Sequence, residues 1–123
     1  MSTSSPYTTG SITVQLTAAL GQFIRVKRAS TGKVVVATID ERGIGCIESA
    51  GAIDEYVSCR LLNADGIHRG IASEAINDGD EVFTAADGKI SKTSTNAHSL
   101  GTAIGAASAD GVVSFIPVIP NVA

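Results

Sequence analysis

The chain has few charged residues and few aromatic ones. Only 17% of its 123 residues are charged, 4% are aromatic, and tryptophan is absent. Apolar residues reach 44%, which excludes an intrinsically disordered chain, because such chains are rich in charge and poor in apolar residues. A single domain of this size must therefore build its core mainly from alanine, valine, isoleucine and leucine.

Basic residues are scarce as well. The net charge is −3, whereas a nucleic-acid-binding protein normally presents a basic surface. The dense basic cluster is Arg25-Val26-Lys27-Arg28, and its pattern is typical of a solvated strand edge, where Lys and Arg discourage aggregation between strands. We therefore expect no nucleic-acid partner.

Targeting and membrane signals are also missing. The first ten residues, MSTSSPYTTG, have no basic start and no apolar run, and no apolar stretch approaches the roughly 20 residues that cross a bilayer. We expect synthesis in the cytoplasm of the producing cell and no membrane partner. Cys46 and Cys59 should then be buried thiols rather than a disulfide, and without a CxxC motif they do not form a zinc site.

What the sequence does contain is a series of short alternating segments. In SITVQLT (11–17), Ile12, Val14 and Leu16 share one face, which is the period of a β-strand. Further strand patterns, separated by turns with Gly and Asp, are FIRVKR, KVVVATI, GIGCIE, EYVSCRLL, GIHRGIAS, EVFTA, KISKT, TAIGAAS and VVSFIPVI. Helix signals are limited to single turns in LTAALG (16–21) and STNAHSLG (94–101). These patterns predict an all-β fold, a small single-domain β-barrel or β-sandwich.

Two features subdivide the chain. Seven of the first eleven residues are Ser or Thr, so we expect residues 1–22 to form an extended N-terminal arm and residues 23–123 a compact β domain. GCIESAGAIDEYVSCRLL (45–62) resembles GAASADGVVSFIPVI (105–119), and GKVVVATIDERG (32–43) resembles GDEVFTAADGKI (79–90). The domain is therefore a candidate internal duplication of one β-unit.

The acidic segment AINDGDEVFTAADGKI (75–90) matches no known site. It lacks the Gly and Glu spacing of an EF-hand loop, and Asp87-Gly88-Lys89 lacks the upstream Gly and the following Ser or Thr of a P-loop. Asn, Asp and Gly in this order favour turns, and Ala86-Asp87-Gly88 and Ala109-Asp110-Gly111 predict hairpins. We interpret these acidic residues as turn formers.

Candidate catalytic groups are isolated from one another. Gly43-Ile44-Gly45 is only half of a dinucleotide-binding fingerprint. His68 and His98 are the candidate bases, and the sequence offers neither a nucleophile motif such as GxSxG nor a carboxylate pair for glycoside chemistry. We expect no catalytic residue, no metal and no cofactor, and therefore a protein that is not an enzyme.

The second half carries an ordered set of turn-and-strand motifs, namely SEAI (73–76), DGDEV (78–82), DGKI (87–90), LGTAIG (100–105) and DGVVSFI (110–116). Their order resembles that of the capsid cement, or head decoration, proteins of tailed bacteriophages. The resemblance covers residues 73–119 and, through the weak repeat, residues 24–62. Asn96 and His98 in the loop before Gly101 depart from the family pattern, as does the length of the Ser/Thr-rich arm.

The resemblance implies a structural protein on the outer surface of a phage capsid, which it stabilises. The implied partners are the major capsid protein of the same phage and further copies of this chain, as a trimer or less commonly a dimer. The arm is the candidate capsid contact, since an extended segment can add a strand to an exposed sheet edge. Its proposed contact residues are Thr8, Thr9, Ser11, Ile12, Thr13, Val14, Gln15 and Leu16.

Two other classes of function stay open. One is a carbohydrate- or host-surface-binding β module, which ordinarily presents exposed aromatic residues, whereas this chain has two Tyr and three Phe. The other is a small β enzyme or a carrier domain, and a carrier of the lipoyl or biotin type needs a lysine at a hairpin tip. Lys89 lies beside a predicted hairpin but has no flanking methionine.

Overall fold

The structure is a computed structural model and describes residues 10–64 and 66–117. Its strands are β1 (Ser11–Gln15), β2 (Arg25–Arg28), β3 (Val34–Val36), β4 (Gly45–Ile47), β5 (Tyr56–Leu61), β6 (His68–Ile71), β7 (Glu81–Thr84), β8 (Ile90–Ser91), β9 (Ser99–Ala103) and β10 (Val112–Pro117). The helical element of this part is one 3₁₀ turn, Ala86–Gly88. The predicted all-β class is therefore confirmed.

The strands form two antiparallel sheets of the same design. The first sheet has the order β1-β5-β4-β2-β3 and the second the order β6-β10-β9-β7-β8. In each sheet the residue that follows the first strand forms a bridge with the strand at the opposite edge. Leu16, after β1, bridges Val34 of β3, and Ala72, after β6, bridges Ile90 of β8. Each sheet is therefore curled into a partly closed barrel.

Equivalent residues of the two sheets are 56 positions apart, as in Gly32 and Gly88 or Asp54 and Asp110. The bridge from Leu20 to Gly51 recurs from Ile76 to Ala107. The ion pair from Lys33 to Asp54, 3.0 Å, recurs from Lys89 to Asp110, 2.8 Å. The chain is thus an internal duplication of one five-stranded unit, as the sequence comparison suggested.

The structural register corrects part of that comparison. Val57-Ser58 and Val113-Ser114 are equivalent, as aligned, but Gly45, which the comparison matched to Gly105, is equivalent to Gly101. Gly32, however, is equivalent to Gly88 and not to Gly79, with which the sequence comparison aligned it. The match to residues 79–90 was wrong because short β-hairpins with Gly turns resemble one another at several registers.

Each unit has its own apolar core on the inside of its curled sheet. The first core comprises Val14, Leu16, Val26, Val34, Ile47, Val57 and Cys59. The second comprises Ala72, Ile76, Val82, Ile90, Leu100, Ala103, Val113 and Phe115. The small aliphatic composition expected from the scarcity of aromatic residues is therefore what fills both cores, with Phe115 as the one large aromatic residue among these buried side chains.

Residues 10–22 correct the predicted domain boundary at residue 22. Ser11–Gln15 pair with β5 over their whole length, from Ser11 opposite Arg60 to Gln15 opposite Tyr56. Leu16 is 0% exposed and belongs to the first core. This segment is a strand of the domain because its alternating apolar face supplies core residues, so residues 11–16 belong to the compact domain. Residues 1–9 lie outside the described part of the chain.

Arg25 corrects the expectation of a solvated basic strand. Its side chain is 0% exposed, and its guanidinium donates hydrogen bonds to backbone carbonyl oxygens of both units. The acceptors are Thr38, Glu41 and Arg42 of the first unit and Ala85 and Lys89 of the second. A single buried arginine thus connects the loop after β3 to the β7–β8 hairpin.

The predicted single helical turns also take other conformations. Within residues 16–21, Leu16 and Leu20 make strand bridges to Val34 and Gly51. Within residues 94–101, β9 begins at Ser99. In the part of the chain that the structure describes, no helix has both the length and the apolar character needed to span a membrane.

Candidate functional site

The predicted contact segment forms one edge of the first sheet. Thr8 and Thr9 lie outside the described residues. Val14 and Leu16 are 8% and 0% exposed, so their side chains pack in the core and cannot contact a partner. Ile12 is 38% exposed, and the polar side chains of Ser11, Thr13 and Gln15 lie on the opposite face of the strand.

The backbone of β1 is paired on one side. The carbonyl oxygen of Gly10 accepts from the N–H of Leu61 at 2.8 Å, and the N–H of Leu16 donates to Glu55 at 2.9 Å. In an antiparallel pair, alternate residues make these bonds, so the backbone groups of Thr13 and Gln15 point away from β5. At Gln15 that side is covered by β3, because the next residue, Leu16, bridges Val34. Beside Thr13 the sheet edge is open, and an open edge is a surface suited to pairing with another extended segment.

A cleft of about 430 Å³ separates the outer faces of the two sheets. Both units contribute polar and apolar side chains to its walls, and the isoleucines come from the second unit. The lining residues are Phe23, Cys46, Glu48, Arg60, Ile67, His68, Arg69, Ile104 and Ser114. Glu48 is already held in place, because its Oε1 accepts from Ser11 Oγ at 3.0 Å and from Ser58 Oγ at 2.6 Å.

His68 is buried at the edge of this cleft. Its side chain is 1% exposed, and its ring lies 5.8 Å from that of Phe115. Nε2 is 2.9 Å from the carbonyl oxygen of Ala64, whereas Nδ1 has no hydrogen-bond partner within residues 10–64 and 66–117. Burial lowers the pKa of His68, so the neutral imidazole is favoured, with its proton on Nε2.

Three acidic residues of segment 75–90, Asp78, Asp80 and Asp87, lie at turns as predicted, whereas Glu81 lies in β7. Asp80 Oδ2 accepts from the N–H of Asn77 at 2.8 Å, and Asp78 Oδ1 accepts from the N–H of Gly105 at 2.7 Å. Gly79 has φ 89°, a left-handed conformation that glycine adopts without strain. Among the described residues, no group of three or more His, Cys, Asp or Glu is placed to hold a metal ion.

The two predicted hairpin turns are also present. Asp87 and Asp110 have φ values of 60° and 65°, and the strands around them pair as β7 with β8 and as β9 with β10. Lys89 donates to the carboxylate of Asp110, so its amine is engaged in an ion pair in this structure. That contact gives no support to a carrier lysine.

Cys46 and Cys59 are free and buried, as predicted. Burial raises the pKa of the Cys46 thiol to about 12 and that of the Cys59 thiol to about 11. Both groups are therefore neutral near pH 7. Because the thiolate is the reactive form of cysteine, neither is suited to nucleophilic chemistry.

Comparison with known proteins shows a similarity of fold. No protein-family model and no curated protein matches the sequence. The structure is similar to the crystal structure of the head fiber gp8.5 N base of bacteriophage phi29, with a TM-score of 0.73 and 14% sequence identity. The similarity covers 88% of this chain and 92% of that one, so it includes both five-stranded units rather than one of them.

Proposed function

We propose that this protein is a structural protein of a tailed-phage head, which binds the outer surface of the capsid as a decoration, or cement, protein and has no enzymatic activity. The observation that carries the proposal is the fold similarity to the phi29 head fiber gp8.5 N base, which extends over nearly all of both chains. The motif order of residues 73–119 supports the same class of protein independently, because it was found in the sequence and not in the fold.

The open edge of β1 provides the mechanism of attachment. An extended segment of the major capsid protein can add to this edge as a further strand, with the backbone N–H and C=O of Thr13 as partners. The domain then acts as a rigid template. Val14 and Leu16, which the sequence predicted as capsid contacts, instead hold β1 in place. Ser11, Thr13 and Gln15 remain the proposed contacts.

One such contact is weak. The two backbone hydrogen bonds of Thr13, at about 0.5–1.5 kcal/mol each, contribute roughly 1–3 kcal/mol before the cost of ordering the added segment. Firm attachment therefore requires several linked contacts, since the second and third become intramolecular. A homo-oligomer, with a trimer favoured over a dimer, would supply them.

Two proline variants test this mechanism. Thr13→Pro removes an N–H that points away from β5, and proline is tolerated at sheet edges, so the variant should fold. Val14→Pro removes an N–H that points toward β5 and should unfold the first unit. Each variant is compared with the wild type by thermal melting and by sedimentation with purified heads of the source phage that lack this protein.

The expected result is that the wild type sediments with the heads, whereas Thr13→Pro melts near the wild-type temperature and stays in solution. Sedimentation of Thr13→Pro with undiminished affinity would eliminate the β1 edge as the contact while leaving a decoration role intact. Failure of the wild type itself to bind the heads would contradict the decoration role.

A further inference from the structure

The two units differ systematically on the outer faces of their sheets. We call the exposed side of β6, β10 and β9 the second-sheet face, consisting of Ile67, Arg69, Ile71, Ile104, Val112 and Ile116. The residues 56 positions earlier are Ser11, Thr13, Gln15, Glu48, Tyr56 and Arg60. Four polar or charged positions of the first unit are thus isoleucine in the second, although they occupy equivalent places in the two sheets.

Three of the four isoleucines of the second-sheet face, and Val112, are exposed, whereas Ile71 is half-buried. Ile67, Ile104, Val112 and Ile116 are 52%, 39%, 48% and 54% exposed. Strand register brings them together: Val112 lies opposite Ile71, Ser114 opposite Arg69 and Ile116 opposite Thr102, and the N–H of Ile104 donates to Ser114 at 2.8 Å. These exposed apolar side chains share one sheet surface with the polar residues Arg69, Ser114 and Thr102. Exposed apolar side chains clustered among polar ones are typical of an interaction site.

Opposite charges lie on the two flanks of this face. Arg69 is exposed on β6 between Ile67 and Ile71, and its guanidinium makes no hydrogen bond or ion pair to any residue that the structure describes. Glu81 is exposed on β7 opposite Thr102, and its Oε2 accepts from Ser99 Oγ at 2.7 Å. With three strand spacings between β6 and β7, the two flanks are about 14 Å apart.

We propose that the second-sheet face is the surface through which copies of this chain associate, with Arg69 of one copy against Glu81 of another. The face is self-complementary, because it carries a cation on one flank, an anion on the other and an apolar centre. A twofold axis lying between two such faces, or a threefold axis with three faces around it, brings one flank of a copy to the opposite flank of its neighbour.

The chemistry of the face favours a second copy over an unrelated partner. Arginine is enriched at protein interfaces, where a desolvated charge needs an opposite charge. Within the chain, Glu48 lines the same cleft as Arg69, but its carboxylate already accepts from Ser11 and Ser58. Another copy supplies Glu81 from the same surface, along with an apolar centre. The inference stands without the proposed role on the phage head, because it depends on the residues of this face alone.

The test is a charge exchange, read out by light scattering on gel-filtered protein over a range of concentrations. The wild type should form a dimer or trimer. Arg69→Glu and Glu81→Arg should each weaken association at least about tenfold, and the double variant R69E/E81R should restore it. Arg28→Glu, an exposed charge reversal on β2 of the first unit, is the matched control and should leave association unchanged.

A second pair of variants tests the apolar centre. Ile116→Arg places on β10 the residue type found at position 60 and should give monomers, whereas Ile53→Arg, at an isoleucine that is 63% exposed outside this face, should not. Thermal melts establish that every variant is folded. The proposal would be overturned if the wild type were monomeric at all concentrations, if Arg69→Glu did not change the assembly, or if the double variant stayed dissociated. Binding of monomers to phage heads through Ile116 would also overturn it.

Discussion

Replacement of Arg25 by methionine should destabilise the protein more than any change at an exposed basic residue. The guanidinium connects the two units, with donor–acceptor distances of 2.6 Å to the carbonyl oxygen of Glu41, 2.7 Å to that of Ala85 and 3.1 Å to that of Lys89. Methionine fills much of the same volume and has no donor. Arg25→Met therefore leaves buried carbonyl groups without partners in both units.

The magnitude follows from two opposing effects. Hydrogen bonds from a charged donor are each worth about 1.5–3 kcal/mol, and at least three short ones are lost. Removing the arginine also relieves the cost of burying its charge, which is several kcal/mol; burial lowers the pKa of Arg25 to about 10, so the group is still a cation at pH 7. We expect a net loss of about 2–5 kcal/mol in the free energy of unfolding, or roughly 10–20 °C in melting temperature.

Urea unfolding followed by circular dichroism measures this loss. Arg28→Met, in the same strand but exposed, is the control and should change the free energy of unfolding by about 0.5 kcal/mol or less. If the free energy of unfolding of Arg25→Met lies within about 1 kcal/mol of the wild-type value, the five carbonyl contacts contribute no net stability. The buried arginine then does not hold the units together.

Three further outcomes are expected. Gly45→Ala should destabilise the first unit, because the added Cβ would meet the carbonyl oxygen of Arg60, whereas Gly21→Ala, with open space around it, should be neutral in the same melting assay. Cys46 and Cys59 should resist a thiol reagent in native buffer and react after unfolding; rapid native labelling would contradict their burial. Because burial lowers the folded-state pKa of His68, its contribution to stability is complete above about pH 6.5 and declines as the pH falls through that value. The His68→Ile variant should therefore lose less stability than the wild type on acidification, and equal losses would refute this assignment.

Much of the fold follows from local sequence patterns. Alternation in SITVQLT and EYVSCRLL predicts β1 and β5, and the turns at Asp87-Gly88 and Asp110-Gly111 predict where hairpins bend, because a left-handed backbone needs Asn, Asp or Gly. The duplication is visible in Val57-Ser58 and Val113-Ser114. The sequence comparison aligned residues 32–43 in the wrong register, because it matched similar turns and not the constant spacing of 56 residues.

The features that sequence reasoning missed depend on tertiary contacts. A period of two tells which residues of β1 share a face, but not whether that face packs on the chain's own core or on a partner, so the strand was assigned to an arm. Nothing local distinguishes Arg25, which is buried, from Arg28, which is exposed. The 56-residue spacing could have revealed the second-sheet face, since it aligns Ile104 with Glu48 and Ile116 with Arg60.

The central claim is that this β domain is a component of the outside of a phage head. Electron cryo-microscopy of purified heads from the source phage tests it most directly. The account predicts density for two curled five-stranded sheets on the outer capsid surface, with the edge of β1 against the major capsid protein. Heads that lack this density, or hold the protein inside the shell, would contradict it.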